Sequence, residues 1–260
     1  MELENKVAWI TGAASGIGRA TALLFAQKGA KTALLDLDEA GLTSLTDEIT
    51  AAGGQALPQV VDLRDPQQIE AAAAEIVAQW ETIDVVIANG GVNGTWAPIE
   101  TLSLEEWNLT QEINLRGAFL TLKYAIPHLK RRGGSVVVTS SVNGTRIFSN
   151  AGATAYSCSK AAQVALAKMA ALELAEHRIR VNVICPGAIE TDIDASTRTR
   201  DLDEIREPVE YPEGSIPLTD GKPGTALQVA DLMLFLASDA AGHISGTEVW
   251  IDGAESLLQG

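Results

Sequence analysis

Tyr156 and Lys160 are the two residues whose types and spacing most directly suggest chemistry. They stand four positions apart in a stretch with a helical pattern, 155–176, so both side chains share one helix face. A free phenol, with a pKa of about 10, is a poor base at neutral pH. A nearby ammonium favours the phenolate and lowers that pKa by about 1–3 units. The pair is a candidate general acid and base, although two helix surface residues are the simpler explanation of the pair alone.

A glycine-rich turn near the N-terminus joins a strand pattern to a helix pattern. The apolar run 7–11 leads into Gly12, Gly16 and Gly18, and a helical pattern follows at once. Gly12 tolerates the positive φ of a sharp turn, Gly16 lets backbone approach a ligand, and Gly18 lets the helix pack close to the strand. The N–H groups at the helix start then face an anion such as a pyrophosphate. The Gly-x-x-x-Gly-x-Gly spacing is not the usual dinucleotide fingerprint, so an ordinary glycine turn remains an alternative.

Strand-like apolar runs alternate with helical patterns along the chain, which predicts an α/β fold with a parallel sheet covered by helices on both faces. The predicted strands are 31–35, 56–61, 84–88, 134–139, 179–184 and 248–251, in addition to 7–11. One long helix is predicted over 103–130, behind a capping box. Residues 186–224 are irregular and rich in charge and proline, so we assign them as a substrate-binding loop within a single domain, 1–260.

Composition excludes several classes of function. The chain has 260 residues and a net charge of −15, which argues against binding to nucleic acid or anionic membranes. No basic-then-apolar leader and no apolar run long enough to span a bilayer stands in the sequence. The two cysteines, Cys158 and Cys185, form no disulfide framework and are expected as buried thiols of a cytoplasmic protein. Three histidines without ligand spacing predict no metal site.

Motifs spread over the whole chain resemble the short-chain dehydrogenase/reductase family. They are Thr11-Gly12-x-x-x-Gly16-x-Gly18, Asp36, Asp62-Leu63, Asn89-Gly90-Gly91, Asn114, Ser140-Ser141, Tyr156-x-x-x-Lys160, Pro186-Gly187 and the tail 246–253. The resemblance implies a single-domain Rossmann fold with a doubly wound sheet of seven parallel strands. It also implies a nicotinamide cofactor and an oxidoreductase that acts on CH–OH groups.

The resemblance assigns four catalytic residues. Tyr156 takes the alcohol proton while hydride leaves the same carbon, and Lys160 holds the phenolate and hydrogen-bonds the nicotinamide ribose. The positive ring of the oxidised cofactor adds to the lowering of the Tyr156 pKa. Ser141 hydrogen-bonds the substrate oxygen as charge develops; Ser140 is the competitor, and the family-like residues after Ser141 favour Ser141. Asn114 binds a water that connects Lys160 to solvent.

Asp36 decides between the two nicotinamide cofactors. It ends the second strand, where an acid bonds the adenosine ribose hydroxyls and repels a 2′-phosphate. No basic residue follows it directly, which favours NAD over NADP, although Arg19 is a nearby cation. The alternative is that Asp36 only begins the turn. The cofactor-binding residues that the resemblance assigns are Gly12, Ser15, Gly16, Ile17, Gly18, Asp36, Leu37, Asp62, Leu63, Asn89, Gly91, Tyr156, Lys160, Pro186, Gly187, Ile189 and Thr191.

Three segments are expected to wall the substrate pocket: 92–98, 142–150 and 186–224. They offer many hydrogen-bonding side chains and few large aliphatic ones, which favours a small polar secondary alcohol such as a sugar or polyol. The expected substrate contacts are Trp96, Ser141, Asn143, Tyr156 and Glu190.

Two other functions stay open. One is a 3-oxoacyl-thioester reductase, for which Arg146, Arg198, Arg200 and Arg206 supply a basic entrance diluted by acidic neighbours. The other is a non-catalytic NAD-binding scaffold, which the complete Asn, Ser, Tyr and Lys set disfavours.

A homotetramer is also expected. The helical stretches 103–130 and 155–176 carry more apolar surface than one sheet face covers, including Met169 and Leu172, with Val164 and Leu166. The tail ends in Leu257-Leu258, which is unfavourable in water. By resemblance, these helices and the tail form two dyad interfaces.

Overall fold

The computed structural model describes residues 2–207 and 214–259. The strands are β1 Val7–Thr11, β2 Lys31–Asp36, β3 Gln55–Val60, β4 Val85–Ala88, β5 Gly94–Trp96, β6 Gly134–Thr139, β7 Ile179–Pro186, β8 Ile189–Glu190, β9 Thr197–Thr199, β10 Gly224–Thr225 and β11 Glu248–Ile251. The helices are α1 Gly16–Gln27, α2 Glu39–Ala51, α3 Pro66–Trp80, α4 Leu104–Gln111, α5 Gly117–Leu129, α6 Thr154–Leu174, α7 Ala226–Ala237 and α8 Glu255–Gln259.

Seven strands form one parallel sheet in the order β11-β7-β6-β4-β1-β2-β3. The predicted doubly wound sheet is therefore confirmed. Strands β1, β4 and β6 are buried along almost their whole length because helices cover both faces of the sheet. The order reverses between β1 and β4, and in such folds ligands bind in the crevice at that point, beyond the carboxyl ends of the strands.

Two apolar cores lie on opposite faces of the sheet. One core packs α3, α5 and α6 against it, with Ile76, Leu129 and Leu174 fully buried. The other packs α1, α2 and α7, with Phe25 and Ile49 at its centre. The cores fix the positions of the strand ends and of the helix starts that surround the site.

The long helix predicted over 103–130 is interrupted, which corrects that expectation. Its capping box is present, since Ser103 accepts from the backbone N–H of Glu106 and the Glu106 carboxylate accepts from that of Ser103. A five-residue π-helical turn, Glu112–Arg116, then separates α4 from α5. Asn114 lies inside this turn and is fully buried, so the interruption coincides with a predicted site residue.

The segment 186–224 carries more regular structure than expected. Strand β9 pairs with β5, and β10 pairs with β8, in two small parallel sheets. The central part of the expected substrate loop, 208–213, lies outside the described residues. Among the described residues, no helix has both the length and the apolar character needed to cross a bilayer.

Several apolar side chains stand on the surface of the single chain. Met169 is 72% exposed, Leu172 is 82% exposed, and Leu257 and Leu258 are also exposed. Val164 and Leu166, by contrast, are partly buried against the first core. The surface left by Met169 and Leu172 suits a subunit contact, and the tetramer stays a prediction. Cys185 is buried but Cys158 is exposed, which corrects the expectation of two buried thiols.

Candidate active site

Three of the four predicted catalytic residues meet where β6 ends and α6 begins. Ser141 follows β6, and its hydroxyl lies near the phenol of Tyr156, which stands in the first turn of α6. Lys160 lies one helical turn further along α6, and its Nζ is 5.5 Å from the centre of the Tyr156 ring. All three side chains are buried. The geometry therefore gives a phenol with a hydroxyl partner on one side and an amine behind it.

Burial sets the protonation of Tyr156. Removal from water raises the pKa of the phenol, and the nearby Ser141 hydroxyl lowers it by a smaller amount. The protein chain alone therefore does not lower the pKa of Tyr156, contrary to the expectation from the sequence. The Lys160 amine, which was expected to stabilise the phenolate, does not reverse this effect of burial.

Lys160 is held by one backbone carbonyl. Its Nζ donates to Thr139 O, the last residue of β6, at 2.9 Å. Burial lowers the pKa of the amine to about 8. Gly91 leaves the necessary room, because a Cβ there would lie 3.6 Å from Lys160 Nζ and 3.0 Å from Asn114 Oδ1. The amine therefore keeps most of its positive charge at neutral pH, in a space shaped by backbone.

Asn114 connects three segments through its side chain. Its Oδ1 accepts from Val92 N at 2.8 Å, and its Nδ2 donates to Val92 O at 2.9 Å and to Ser159 Oγ at 3.0 Å. Ser159 in turn donates to the carbonyl of Tyr156. The side chain thus fixes α6 against the loop after β4, which leaves the backbone carbonyl as the group with room for a further role.

The glycine turn after β1 has no room for larger residues. Gly12 has a φ of +66°, a conformation that other residues rarely adopt. A Cβ on Gly18 would stand 1.9 Å from the carbonyl oxygen of Gly12. Ser15 precedes α1 without capping it through its side chain, so the first N–H groups of α1 remain open to an anion. Thr191 packs over Gly16 at 3.2 Å from where a Cβ would be, so the segment after β7 covers this turn.

Asn89 ties the glycine turn to the centre of the sheet. Its Nδ2 donates to Thr11 O at 3.3 Å, and its Oδ1 accepts from Thr139 Oγ1 at 3.1 Å. Leu63 reaches the same region, where a Cβ on Gly90 would lie 2.5 Å from its side chain. These contacts bring predicted cofactor residues from β1, β3 and β4 to one edge of the sheet.

Asp36 carries a carboxylate held by backbone donors. It accepts from Ala14 N at 3.0 Å, from Leu37 N at 2.7 Å and from Asp38 N at 3.2 Å. The first of these bonds links the end of β2 to the glycine turn. The nearby cation Arg19 is paired with Glu48 at 2.6 Å.

Asp62, the other acidic residue predicted to bind the cofactor, is paired with a cation. Its carboxylate accepts from the Arg64 guanidinium at 2.6 Å, and these hydrogen bonds lower the pKa of Asp62. Pro186 lies at the end of β7, where its carbonyl accepts from Val142 N at 3.0 Å. Gly187 packs against Asp252, and Ile189 packs against the second core.

The structure places Trp96 and Asn143 near Tyr156 and Ser141, but it places Glu190 apart from them. Trp96 lies beside Tyr156, with ring centres 6.5 Å apart and ring planes at 41°. Asn143 donates its backbone N–H to Ser141 Oγ at 3.1 Å, and its side chain accepts from Asn150. Glu190 lies exposed in β8, paired with β10, and no contact joins it to Tyr156 in the described residues.

A cavity of about 650 Å³ lies between the expected pocket segments in the described part of the chain. Its lining includes Trp96 and Asn150 together with residues 199–203, Arg206 and Glu207. Arg200 in this wall makes two hydrogen bonds to the Glu106 carboxylate, which lower the Glu106 pKa to about 2. Asn93 donates to Thr197 Oγ1 at 2.8 Å, which links the residues before β5 to β9.

Gln163 is a residue of this region that the sequence analysis did not identify. It follows Lys160 by three positions on α6, is buried, and donates to the carbonyl of Asn114. The recurrence of polar residues every three or four positions along one helix face, here Tyr156, Lys160 and Gln163, is the sequence signal by which it could have been found. Among the described residues, no cluster of histidine, cysteine and carboxylate side chains is arranged to hold a metal ion.

Comparisons with known proteins cover nearly the whole chain. Residues 12–254 match the family model described as enoyl-(acyl carrier protein) reductase. A crystal structure of a 3-ketoacyl-ACP reductase from Sinorhizobium meliloti 1021 is 50% identical, with a TM-score of 0.94 over 97% of this chain and 99% of that one. The levodione reductase of Leifsonia aquatica is 35% identical over 97% of this chain and 94% of its own length. A 3-ketoacyl-(acyl-carrier-protein) reductase from Brucella melitensis, complexed with NADH, is 29% identical, with a TM-score of 0.86 over 98% of this chain and 100% of that one.

The crowding at Gly18 gives a testable prediction. In Gly18→Ala, the Cβ that would stand 1.9 Å from the Gly12 carbonyl oxygen must push α1 away from the turn. Overpacking of this kind lowers the free energy of unfolding by about 1–3 kcal/mol, and we expect the loss of NADH binding measured by fluorescence. The control is Gly242→Ala, where φ is negative and the nearest atom is 3.1 Å away. Wild-type NADH affinity in Gly18→Ala would contradict this account of the turn.

Proposed function

The chain belongs to the short-chain dehydrogenase/reductase family, and from that premise we propose that it transfers hydride between NAD(H) and a small polar secondary alcohol or its ketone. Relatives of this family, the levodione reductase among them, are oxidoreductases, and the chain is an oxidoreductase that acts on CH–OH groups. The single observation that carries the proposal is the gathering of the Ser141 hydroxyl, the buried Tyr156 phenol and the Lys160 amine at the carboxyl end of β6.

The residues suit a proton transfer coupled to hydride transfer. When bound, NAD supplies the hydride acceptor. Tyr156, as phenolate, takes the proton of the alcohol oxygen, and in the other direction the phenol returns it to the carbonyl oxygen. Ser141 hydrogen-bonds the same oxygen and stabilises the charge that develops on it. Lys160 supplies positive charge behind the phenolate and is anchored by the Thr139 carbonyl.

The residues around the glycine turn fit a dinucleotide. The open N–H groups of α1 suit a pyrophosphate, and the tight turn lets it approach the backbone. Asp36 is held by three backbone donors, so its carboxylate is fixed at the end of β2, where a 2′-phosphate would be repelled. The ion pair with Glu48 neutralises Arg19, which removes the objection that this cation raised. These contacts support NAD as the preferred cofactor.

The polar walls beside Tyr156 support a small polar substrate. Trp96 offers an aromatic face, while Asn143 and Asn150 offer amide groups within one hydrogen-bonded pair. A hydrocarbon ligand would leave the remaining donors and acceptors of these amides without partners, which disfavours its binding. Sugars and polyols pair these groups and stack on aromatic rings.

A 3-oxoacyl thioester is the second candidate substrate, because the relative at 50% identity is named a 3-ketoacyl-ACP reductase. Two of the four arginines that would form a basic entrance already interact with other side chains of the protein. Arg200 is bound by Glu106, and the Arg146 guanidinium lies 3.7 Å above the centre of the Trp250 ring. The pocket chemistry therefore favours the polar alcohol, while the tetramer and the cytoplasmic location remain predictions.

Substitution Tyr156→Phe tests the proton transfer. The phenyl ring retains the packing against Trp96 but carries no hydroxyl, so kcat is expected to fall by about 10²–10⁴-fold while NADH still binds. Steady-state kinetics and NADH fluorescence measure the two effects. Tyr124→Phe is the matched control, since Tyr124 lies half-buried in α5 away from the site. If Tyr156→Phe keeps more than a few per cent of activity, the assigned role is wrong.

Substitution Asp36→Ala tests the cofactor preference. Loss of charged hydrogen bonds to the ribose is expected to cost about 1.5–3 kcal/mol, or about 10–100-fold in kcat/KM with NAD. Activity with NADP is expected to stay equal or to rise, because the repulsion is removed. Asp47→Ala, an exposed carboxylate on α2, controls for net charge. Equal kcat/KM with NAD and NADP in the wild-type enzyme would refute the assignment.

A matched substrate panel separates the two candidate substrates. We expect polyols and aldoses to give higher kcat/KM with NAD than hydrophobic secondary alcohols, and acetoacetyl thioesters to be reduced poorly by NADH. NADH absorbance follows both directions. Far higher kcat/KM for the thioester would favour the second candidate, and far higher kcat/KM for the hydrophobic alcohols would refute the polar pocket.

A further inference from the structure

Gln163 links the helix that carries Tyr156 and Lys160 to the π-helical turn. It is 1% exposed. Its Nε2 donates to the backbone carbonyl of Asn114 at 2.8 Å. The Asn114 side chain is hydrogen-bonded to Val92 and Ser159. Gln163 therefore binds the backbone carbonyl of Asn114 and not its side chain. Gln163 lies on the same helix face as Lys160, three positions away.

The other end of the Gln163 amide is unsatisfied. Its Oε1 is buried and has no hydrogen-bond partner among residues 2–207 and 214–259. Buried acceptors without a donor are rare in folded proteins, and ordered water commonly supplies the missing hydrogen bond. Lys160 has three N–H donors, and Thr139 O receives one of them. A donor-rich group and an unpaired acceptor thus lie on one turn of α6.

We propose that Gln163 is a positioning residue that holds the Asn114 carbonyl and binds, through Oε1, a buried water beside Lys160. This inference rests on the proposed function, because it concerns the fate of the proton that Tyr156 takes from the alcohol. The Lys160 ammonium releases a proton to the water, and the amine so formed takes up the proton that Tyr156 accepted, so that the proton reaches the water and both side chains return to their starting forms. The water is fixed by Gln163 Oε1 and the Asn114 carbonyl, so Gln163 acts on the rate of proton return without touching the substrate.

Gln59 provides a matched comparison within the same chain. It is also buried, its Oε1 also has no hydrogen-bond partner in the described residues, and its Nε2 donates to Ala72 O and to the Glu75 carboxylate. It lies on β3, at the edge of the sheet. A glutamine-to-methionine change therefore removes the same groups at both positions, but only Gln163 contacts the catalytic region.

A crystal structure of the wild-type enzyme, without any substrate, is the first test. We expect electron density for a water within hydrogen-bond distance of Gln163 Oε1, and its loss in Gln163→Met. A dry Oε1 in the wild type would overturn the proposal. Because this test needs no turnover, it separates failure of the inference from failure of the proposed function, which an enzyme inactive on every alcohol with NAD would show.

Kinetics are the second test. In Gln163→Met we expect kcat for alcohol oxidation to fall roughly tenfold, less than for a direct acid–base group, with KM and NADH affinity within about twofold of wild type. The solvent deuterium isotope effect on kcat is expected to rise because proton return becomes slower. In Gln59→Met, kcat and the isotope effect are expected to stay at the wild-type values. Equal losses in both variants, or a lower kcat in Gln163→Met with an unchanged isotope effect, would show a structural role only.

The conservative variant Gln163→Glu keeps the proposal testable if Gln163→Met does not fold. Burial raises the pKa of a carboxyl group, so at low pH the protonated acid donates to the Asn114 carbonyl and accepts at its other oxygen. We expect kcat near the wild-type value there and a loss as the carboxyl ionises with rising pH. The wild-type pH profile in Gln163→Glu would contradict the assigned role.

Discussion

The burial of Lys160 beside Tyr156 is the constraint on which the rest of the site depends. Removal from water disfavours both charged forms, so it lowers the pKa of the amine to about 8 and raises the pKa of the phenol. In the protein chain alone the phenol therefore stays protonated, while the amine keeps most of its positive charge at neutral pH. A positive charge brought close to them changes that balance, and the proposed cofactor carries such a charge on its oxidised ring. In this account the base is formed mainly when the cofactor is bound.

The surrounding structure holds this pair in place through backbone groups. Thr139 at the end of β6 anchors the amine, Gly91 leaves room for it, and Asn114 joins the loop after β4 to α6. The π-helical turn is where these contacts meet, which explains why an irregular turn interrupts an otherwise regular helix. The order of the strands brings these segments together at the carboxyl edge of the sheet, so the fold itself assembles the site.

Local patterns were sufficient to predict the seven strands and the glycine turn, whereas the gathering of Ser141, Tyr156 and Lys160 was predicted from the resemblance to the short-chain dehydrogenase/reductase family. The strands and the turn depend on runs of apolar residues and on short motifs, and the parallel order follows from the alternation of strands and helices. The π-helical turn was not predictable in this way, because it is stabilised by contacts of Asn114 with Val92 and Ser159 that are distant in sequence. The pairing of β5 with β9 and the raised pKa of Tyr156 likewise depend on burial and on contacts between distant segments.

The most direct test of the central claim is a titration of Tyr156 followed by the near-ultraviolet absorbance of its phenolate, as a difference between the wild type and Tyr156→Phe. It is made on the free enzyme and on the complex with NAD. We expect Tyr156 to titrate above the pKa of a free phenol, about 10, in the free enzyme and at distinctly lower pH in the complex. If Tyr156 ionises at the same pH with and without NAD, the bound cofactor does not create the base.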